Sequence, residues 1–468
     1  MTEMPVLPDE IRTSLPPEVQ AYIAALEALI AELQARTRQT SQNSSRPPSS
    51  DPPNAPPRPA RKPSGRKRGA QVGHQRHERE LLPVEEVSEV IEHWPSECSS
   101  CHTSLPTDLV EIAEPERQQV WDIPPVEPTV TEHRYHRVEC PACHSVVEAA
   151  RPADVPTGMF GPQVIALVGL LHARYRLSVR EIVALLLDIF HLTISTGSVT
   201  ALCQILSAAL ATPYQQSQAR LQGANRANVD ETGWKKGGQR CWLWVAVSVG
   251  TTVFMIADRS SKALKALLGD QFDGVVSSDR FKSYLAIPAH LRQVCWAHLK
   301  RNWLAFSERD GPVGEWGQRG IVQIEKLFGL WHQFRAGTIE RATLQTDMEA
   351  VQKAVRKLLE ESQELPVEKA RTFCQDLLAL WPALWTFLVV EGVEPTNNSA
   401  ERALRPAVLW RKGCFGTQSD TGNLFVARVL TVITTCRQQD RHVLTFLTDA
   451  VQAHISRQPA PDLFLSTP

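Results

Sequence analysis

The feature that most restricts the fold is a succession of short apolar segments after residue 225, each with the composition of a β-strand. The segments A-N-V-D, C-W-L-W-V-A-V-S-V and T-V-F-M-I-A come first, a helical stretch around Ser261 to Leu268 follows, and G-V-V-S-S-D and R-Q-V-C-W-A-H complete the series. Val, Ile, Thr and Trp pack well on a pleated surface. Three strands in succession, then helix, strand, helix and strand, predict an α/β domain built on a mixed sheet.

The length of the chain requires further domains beside this sheet. At 468 residues it exceeds one ordinary domain, since about 150 residues per domain is typical. The strand order is that of a ribonuclease-H-like fold, and we assign residues 224–445 to such a catalytic core. Helical periodicity, as in M-E-A-V-Q-K-A-V-R-K-L-L-E, predicts a helical insertion at about 299–395. Residues 446–468 form a C-terminal tail, so the chain is predicted to be a multidomain α/β protein.

The pattern of residues 1–39 predicts an N-terminal helix, in which apolar residues recur at alternating steps of four and three. These residues are Val19, Ile23, Leu26, Ile30 and Leu33. The spacing is that of a short coiled coil and indicates a homo-oligomer. An ordinary packed helix is the alternative, because two heptads are marginal by themselves.

Residues 40–80 form a Pro- and Ser-rich linker with a concentrated positive charge, although the formal net charge of the chain is −1. Eight Lys or Arg fall within residues 58–79, against Glu78 alone. Such a run attracts phosphate by counterion release, and a solvated linker is the alternative. The candidate DNA contacts are Arg61, Lys62, Arg66, Lys67 and Arg68.

Two Cys-x-x-Cys pairs lie within residues 81–152, separated by a loop of 38 residues. In a reducing compartment this spacing suits a structural Zn²⁺ with four thiolate ligands. The predicted ligands are Cys98, Cys101, Cys140 and Cys143. His102 and His144 follow the two pairs, so either could replace a cysteine, and Cys-x-x-Cys-His is also the c-type haem pattern. Haem attachment requires export, and the start of the chain lacks the features of a signal peptide.

Residues 153–223 have a helical pattern that resembles a helix-turn-helix. The segment L-S-V-R-E-I-V-A-L-L-L-D-I-F precedes H-L-T-I-S-T-G-S-V-T-A-L, in which Ser195 or Thr196 can cap the second helix. We expect this region to contact DNA. A plain helical hairpin in a core is the alternative, because the second helix has few basic residues.

Three acids stand where their side chains can share a site. Asp230 and Asp279 end two of the predicted strands, and Glu401 lies in the first turn of a helix begun by T-N-N-S-A-E-R. Their oxygens suit two Mg²⁺ or Mn²⁺ ions and phosphodiester chemistry. The alternatives are Asp side chains that cap turns, a capping box between Asn398 and Glu401, and a surface ion pair between Glu401 and Arg405.

The motifs together resemble one known family. N-S-S-R-P-P-S-S-D, G-R-K-R-G-A-Q-V-G-H, the cysteine pairs, V-D-E-T-G-W, S-S-D-R-F-K-S-Y, C-W-A-H-L-K-R and N-N-S-A-E-R-A-L-R-P look like the transposases of the bacterial insertion-sequence family numbered sixty-six. The resemblance implies an Asp-Asp-Glu triad at Asp230, Asp279 and Glu401. It further implies double-stranded DNA substrates, namely inverted repeats and target DNA, and accessory proteins of the same element. Arg46, where Lys is commoner, and Cys414 in G-C-F-G-T depart from the family pattern.

Several other residues have two interpretations each. Cys295 and His298 in C-W-A-H have ligand-like spacing, but a core cysteine and a satisfied histidine are favoured. Trp234, Trp242 and Trp244 are favoured as core or sheet-surface residues over base-stacking platforms.

The sequence leaves three functions in competition: a transposase, a catalytically inactive zinc-containing DNA-binding regulator, and a stand-alone nuclease of the same fold. The intact triad favours an enzyme, and the two-part DNA-binding front end favours a transposase. No apolar run approaches the about 20 residues of a membrane helix. We therefore expect a bacterial cytoplasmic protein without a membrane partner, which associates with the nucleoid when it is bound to DNA.

Overall fold

The computed structural model describes residues 7–44, 51, 79–107 and 112–464. Its contacts divide the described residues into two compact units, one from Met1–Pro56 and Pro128–Pro468 and the other from Pro57–Glu127. The predicted DNA contacts all lie outside the described residues, and so does Arg46. These predicted contacts are Arg61, Lys62, Arg66, Lys67 and Arg68.

Two helices open the larger unit, α1 (Asp9–Ser14) and α2 (Pro17–Thr37). Proline at the first position of α2 is favourable because its fixed φ suits a helical first turn. The predicted apolar seam lies on α2, but Leu33 is 51% exposed and the helix has no buried residue. The helix is confirmed, and the coiled coil stays a prediction. A short antiparallel pair follows, β1 (Arg137–Glu139) and β2 (Val146–Glu148).

A mixed sheet of five strands forms the centre of the larger unit. The strand order is β5-β4-β3-β6-β7, in which β3, β4 and β5 run antiparallel to one another while β6 and β7 run parallel to β3. The strands are β3 (Arg226–Lys236), β4 (Gln239–Ser248), β5 (Thr251–Ala257), β6 (Val275–Ser278) and β7 (Arg292–Val294). All five strand segments recognised in the sequence are confirmed.

Helices cover both faces of this sheet. They are α3 (Pro162–Ala173), α4 (Val179–Phe190), α5 (Thr196–Ala209), α6 (Ala211–Gln222), α7 (Ser261–Leu268), α13 (Asn398–Cys414), α14 (Asp420–Gln438) and α15 (Val443–Ile455). One core combines the face that includes Trp234 and Val245 with α3 to α5 and α13 to α15. The other combines the face that includes Val229 and Trp244 with α6 and α7. Successive residues of β3 therefore point into different cores.

The predicted helix-turn-helix corresponds to α4 and α5. The side chain of Ser195 accepts a hydrogen bond from the backbone N–H of Ser198, as its predicted capping role requires. The buried side of α5, which includes Val199 and Leu206, belongs to the same core as one face of the sheet. The hairpin is thus part of the larger hydrophobic core, and its role in DNA recognition stays a prediction.

Five helices separate β7 from α13, and they form the predicted insertion. They are α8 (Trp296–Ser307), α9 (Pro312–Arg335), α10 (Arg341–Glu361), α11 (Glu368–Ala379) and α12 (Trp381–Val389). The insertion packs in a third core that also includes Val275 of β6 and Val294 of β7, and in this core the ring centres of Trp303 and Trp316 lie 4.2 Å apart. Its first and last residues meet, because the backbone N–H of Trp296 donates to the carbonyl of Pro395 at 2.8 Å.

No single helix among the described residues is both long and apolar enough to cross a membrane. The helices Glu368–Ala379 and Trp381–Val389 are long and apolar enough only when they are taken together, and a bend of 48° separates them.

Candidate active site

The register of the parallel strands brings three side chains to one level of the sheet. Asn228 on β3 lies opposite Ser277 on β6, which lies opposite Gln293 on β7. Asp230, Asp279 and Cys295 lie two residues after Asn228, Ser277 and Gln293, respectively, and so share the next level on the same face of the sheet. Residues at one level of neighbouring parallel strands point to the same face and are about 5 Å apart. The two predicted aspartates are therefore neighbours, and a thiol stands beside them.

Asp230 does not end its strand, which corrects the sequence expectation. β3 continues to Lys236 because its second half pairs with β4 through residues such as Trp234, which lies opposite Cys241. Asp230 is thus a half-buried residue in the middle of a strand. Asp279 does follow directly after β6, as expected, and its Oδ1 accepts the backbone N–H of Phe281 at 2.8 Å.

Glu401 reaches the same face of the sheet from the first turn of α13. Side chains near both ends of this helix tie it to β3: Asn397 donates to the carbonyl of Val229 at 2.7 Å, and Arg411 donates to the hydroxyl of Thr232 at 3.0 Å. Asn397, rather than Asn398, precedes the helix, and no side chain caps it. The capping-box alternative is therefore wrong, because the Asn that could cap the helix bonds to β3 instead.

Two basic side chains of α8 lie near the carboxylate of Glu401. Nδ1 of His298 lies 3.5 Å from its Oε1, and a guanidinium nitrogen of Arg301 lies 3.9 Å from its Oε2. Arg405, the alternative partner, is exposed. Both observed contacts are long, so the carboxylate of Glu401 is only weakly neutralised by protein groups.

The acids around Asp230 raise the cost of ionising its carboxyl group. Burial first, then the charges of Glu231, Asp279 and Glu401, raise the pKa of Asp230 well above its usual range. Like charges this close are stable together only if protons or cations are bound between them. A divalent cation is therefore compatible with this donor set of hard carboxylate oxygens.

The second acid of the D-E-T motif belongs to the opposite face of β3. The Glu231 side chain is 1% exposed, and it accepts hydrogen bonds from Nε of Arg259 at 2.7 Å and from the hydroxyl of Tyr284. Burial raises the pKa of Glu231, and these two partners oppose the shift. Strand alternation from Asp230 is the sequence signal that assigns Glu231 to this buried network.

A buried cation lies behind Asp279, and sequence reasoning missed it. Arg292 on β7 is fully buried and donates to the carbonyl of Asp279 at 3.2 Å. Burial lowers its pKa to about 10, so the side chain is charged at pH 7. It provides positive charge beneath the acids without occupying the face that they share.

Cys295 is buried, as favoured, but His298 is partly exposed and its Nδ1 has no hydrogen-bond partner, so the expectation of a satisfied histidine is wrong. The ligand atoms of Cys295 and His298 and a carboxylate oxygen of Glu401 all lie within 4.8 Å of one another. Burial raises the pKa of the Cys295 thiol to about 11 and lowers that of His298. At pH 7 the imidazole is therefore neutral, and its contact with Glu401 is not a full ion pair.

The two cysteine pairs have the same local geometry, each within its own hairpin. The backbone N–H of His102 donates to the carbonyl of Cys98, and that of His144 donates to the carbonyl of Cys140, both at 2.8 Å. Each His has a positive φ, and its ring faces a glutamate, Glu97 for His102 and Glu139 for His144. The hydrogen bond with the Thr103 hydroxyl lowers the pKa of Cys101. The hairpins thus favour thiolates over imidazoles as ligands.

The three tryptophans belong to the sheet, as favoured. Trp234 and Trp244 are buried, and their ring nitrogens donate to Thr417 and to the carbonyl of Asp258. Trp242 is half-buried under the guanidinium of Arg259, at 4.3 Å from the ring centre. None of the three is a free stacking surface.

The G-C-F-G-T turn also has a definite place. Gly416 has a φ of +117°, and a side chain there would collide with the carbonyl of Lys235, because a Cβ would lie only 2.3 Å away. Cys414 is the last residue of α13 and packs against the core of this face. The turn fixes the end of α13 against β3.

Three family models match the chain. The one described as "Transposase IS66 family" matches residues 157–423, and the one described as "zinc-finger binding domain of transposase IS66" matches residues 95–144. A third, described as "Family of unknown function (DUF6444)", matches residues 2–80. The first match includes the whole candidate active site.

Two curated proteins are similar to this chain at low sequence identity. The "Uncharacterized protein y4hP" of Sinorhizobium fredii (strain NBRC 101917 / NGR234) is 24% identical over 425 residues, which cover 79% of this chain and 72% of the relative. The "Uncharacterized protein y4qI" of the same strain is 24% identical over 249 residues, 48% of this chain and 46% of the relative. Because the first family model matches more than half of the chain, the protein belongs to the Transposase IS66 family and carries that family's zinc-finger domain.

Proposed function

We propose that this chain is a DNA transposase that binds the terminal inverted repeats of its element, hydrolyses a phosphodiester bond and joins the freed 3′-hydroxyl to target DNA. Asp230, Asp279 and Glu401 are the catalytic acids. The observation that carries the proposal is their convergence: two aspartates at one level of neighbouring parallel strands, and a glutamate on α13 that packs on the same face.

The sheet supports the proposal independently of the acids. Its first three strands are antiparallel, and the fourth and fifth lie beside the first and run parallel to it. This is the strand order of a ribonuclease-H-like fold. In such an arrangement the first and fourth strands are neighbours, so acids on them converge without a long loop.

The three carboxylates would hold two Mg²⁺ or Mn²⁺ ions, which would activate the attacking oxygen and stabilise the leaving oxygen. Strands β3 and β6 fix the two aspartates, and the bonds of Asn397 and Arg411 to β3 fix α13 and so orient Glu401. Arg292 offsets part of the negative charge from beneath the sheet. The protein itself forms no covalent bond with DNA in this scheme.

The remaining parts of the chain bind DNA and organise the assembly. Cys98, Cys101, Cys140 and Cys143 hold one structural Zn²⁺, and the basic run at Arg61, Lys62, Arg66, Lys67 and Arg68 contacts phosphates. The zinc module and the α4–α5 hairpin read the element ends. The exposed seam of α2 supports self-association, and the family resemblance implies accessory proteins of the same element.

Strand joining between a labelled element end and a supercoiled plasmid tests the proposal. A transposase gives a joined product in Mg²⁺, a regulator gives binding without cleavage, and a stand-alone nuclease gives cleavage without joining. Absence of any joined product with folded protein that binds the element end would refute the proposal.

A further inference from the structure

Two unpartnered ligand atoms face each other beside the acid centre. Nδ1 of His298 and Oε1 of Glu401 are both buried without a hydrogen-bond partner, although they lie only 3.5 Å apart. A buried polar atom that lacks a partner costs about 1–3 kcal/mol. Two such atoms side by side indicate that a third group belongs between them.

The separation of these atoms matches a shared metal ion. Ligands at about 2.1 Å from a tetrahedral Zn²⁺ lie about 3.5 Å from one another. Sγ of Cys295 completes the group, because all three ligand atoms lie within 4.8 Å of one another. The spacing of Cys295 and His298 across the start of α8 directs both side chains to one place.

We infer that Cys295, His298 and Glu401 form a second cation site at the edge of the acid centre, selective for a borderline divalent ion such as Zn²⁺. Nitrogen and sulfur donors suit zinc and do not suit Mg²⁺. The site goes beyond the proposed function, which uses only carboxylate ligands at this centre. It shares Glu401 with that function, so an ion at this site and an ion between the aspartates would have one ligand in common.

Hydrogen bonds from Asn397 hold Cys295 in this position when no metal is bound. The backbone N–H of Asn397 donates to Sγ of Cys295 at 3.2 Å, and Asn397 is itself bonded to β3. Cys295 precedes the insertion and Glu401 follows it, so the site lies where the two ends of the insertion meet. A ligand from each end of that segment therefore contributes to one ion.

Co²⁺ binding to the full chain tests this inference, because a thiolate ligand gives Co²⁺ a charge-transfer absorption band. Cys295→Ser and His298→Asn should each remove one equivalent of bound Co²⁺, and Cys295→Ser should also remove one thiolate's share of the band. Cys374→Ser is the matched control, since this thiol is also buried but belongs to the core of the insertion. It should change neither quantity.

Equal Co²⁺ binding in the wild type and in folded Cys295→Ser would overturn the inference. If that variant does not fold, His298→Asn decides, because the His298 side chain is partly exposed and its Nδ1 has no hydrogen-bond partner that the substitution would remove. Asp230→Asn separates the inference from the proposed function. It should keep the full intensity of the thiolate-to-Co²⁺ band while it loses strand joining.

Discussion

The acid centre and the cysteine hairpins differ in what positions their ligands. Asp230 and Asp279 stand on buried strands with helices on both faces, so the core fixes them before any ion binds. None of the described residues between 79 and 150 is buried. A segment without a core must obtain its order elsewhere, and a structural zinc ion supplies folding free energy directly. One metal centre is therefore expected to follow folding, and the other to cause it.

The largest expected effect separates catalysis from folding at the acid centre. Asp230→Asn, Asp279→Asn and Glu401→Gln should each lower strand transfer in Mg²⁺ by about 10³-fold or more, because the amides keep the shape but lose the charge that holds the ions. Their combination should lower it little further. End binding and circular dichroism should not change.

Asp270→Asn is the matched control for these variants, since Asp270 is an exposed acid near the other end of β6. It should retain full strand transfer. If Glu401→Gln retains near-normal activity, the third ligand is wrongly assigned, and Glu394, which pairs with Arg335, is the carboxylate to replace next.

The second effect is the loss of order around the cysteines. Cys98→Ser or Cys140→Ser should lower the zinc content by about one equivalent per chain and speed amide hydrogen exchange across residues 79–150, while the sheet keeps its protection. Elemental analysis and mass-resolved exchange measure the two parts. Cys241→Ser, on β4, should change neither. Freshly purified, reduced protein without zinc would contradict the prediction.

The third effect concerns the basic run, whose proposed contacts with phosphate depend on its charge and not on a fold. Replacing Arg66, Lys67 and Arg68 with Ala should weaken binding to all DNA sequences alike and flatten the slope of log affinity against log salt by about one unit per lost phosphate contact. Preference for the element ends should survive. An unchanged slope would assign the basic run to a linker only.

The smallest expected effect is the pH dependence that Asp230 gives to the free energy of unfolding. The raised native pKa of Asp230 means that the native chain keeps a proton that the unfolded chain releases near its usual pKa of 3.8. The free energy of unfolding therefore falls as pH rises from that value to the native pKa. Asp230→Asn cannot ionise, so at pH 8 without divalent ions it should be more stable than the wild type, by about 1–3 kcal/mol.

Denaturant titration measures this difference, and Mg²⁺ should reduce it by stabilising only the wild type. Asp270→Asn should unfold like the wild type under both conditions. A wild type that is more stable than Asp230→Asn at pH 8 without divalent ions would show that Asp230 is not strained by its neighbours.

The sequence predicted the elements that carry the acids because those elements are locally encoded. Apolar β-type segments, the helix at Ser261–Leu268 and the cap at Ser195 all depend on neighbouring residues. The strand containing Asp230 was predicted too short, since its second half is a strand only through its pairing with β4. Pairing is a tertiary property that composition does not reveal.

Other features depend on residues far apart in the chain. Asn397 stands next to Asn398, the candidate member of the capping box, but its side chain is bonded to Val229, which lies 168 residues earlier. The approach of Cys295 to Glu401 likewise requires the whole insertion to return to its starting point. No local pattern in either motif specifies such a return.

The closed ends of the insertion have a topological consequence. Trp296 is bonded to Pro395 and Cys295 to Asn397, so the two ends of the five-helix insertion meet, and α12 is bonded to β7 through Phe387 and Gln293. The entropic cost of closing a loop grows by only about 0.6 kcal/mol for each doubling of its length. A change in the length of the insertion away from this closure is therefore expected to leave the arrangement of Asp230, Asp279 and Glu401 unchanged.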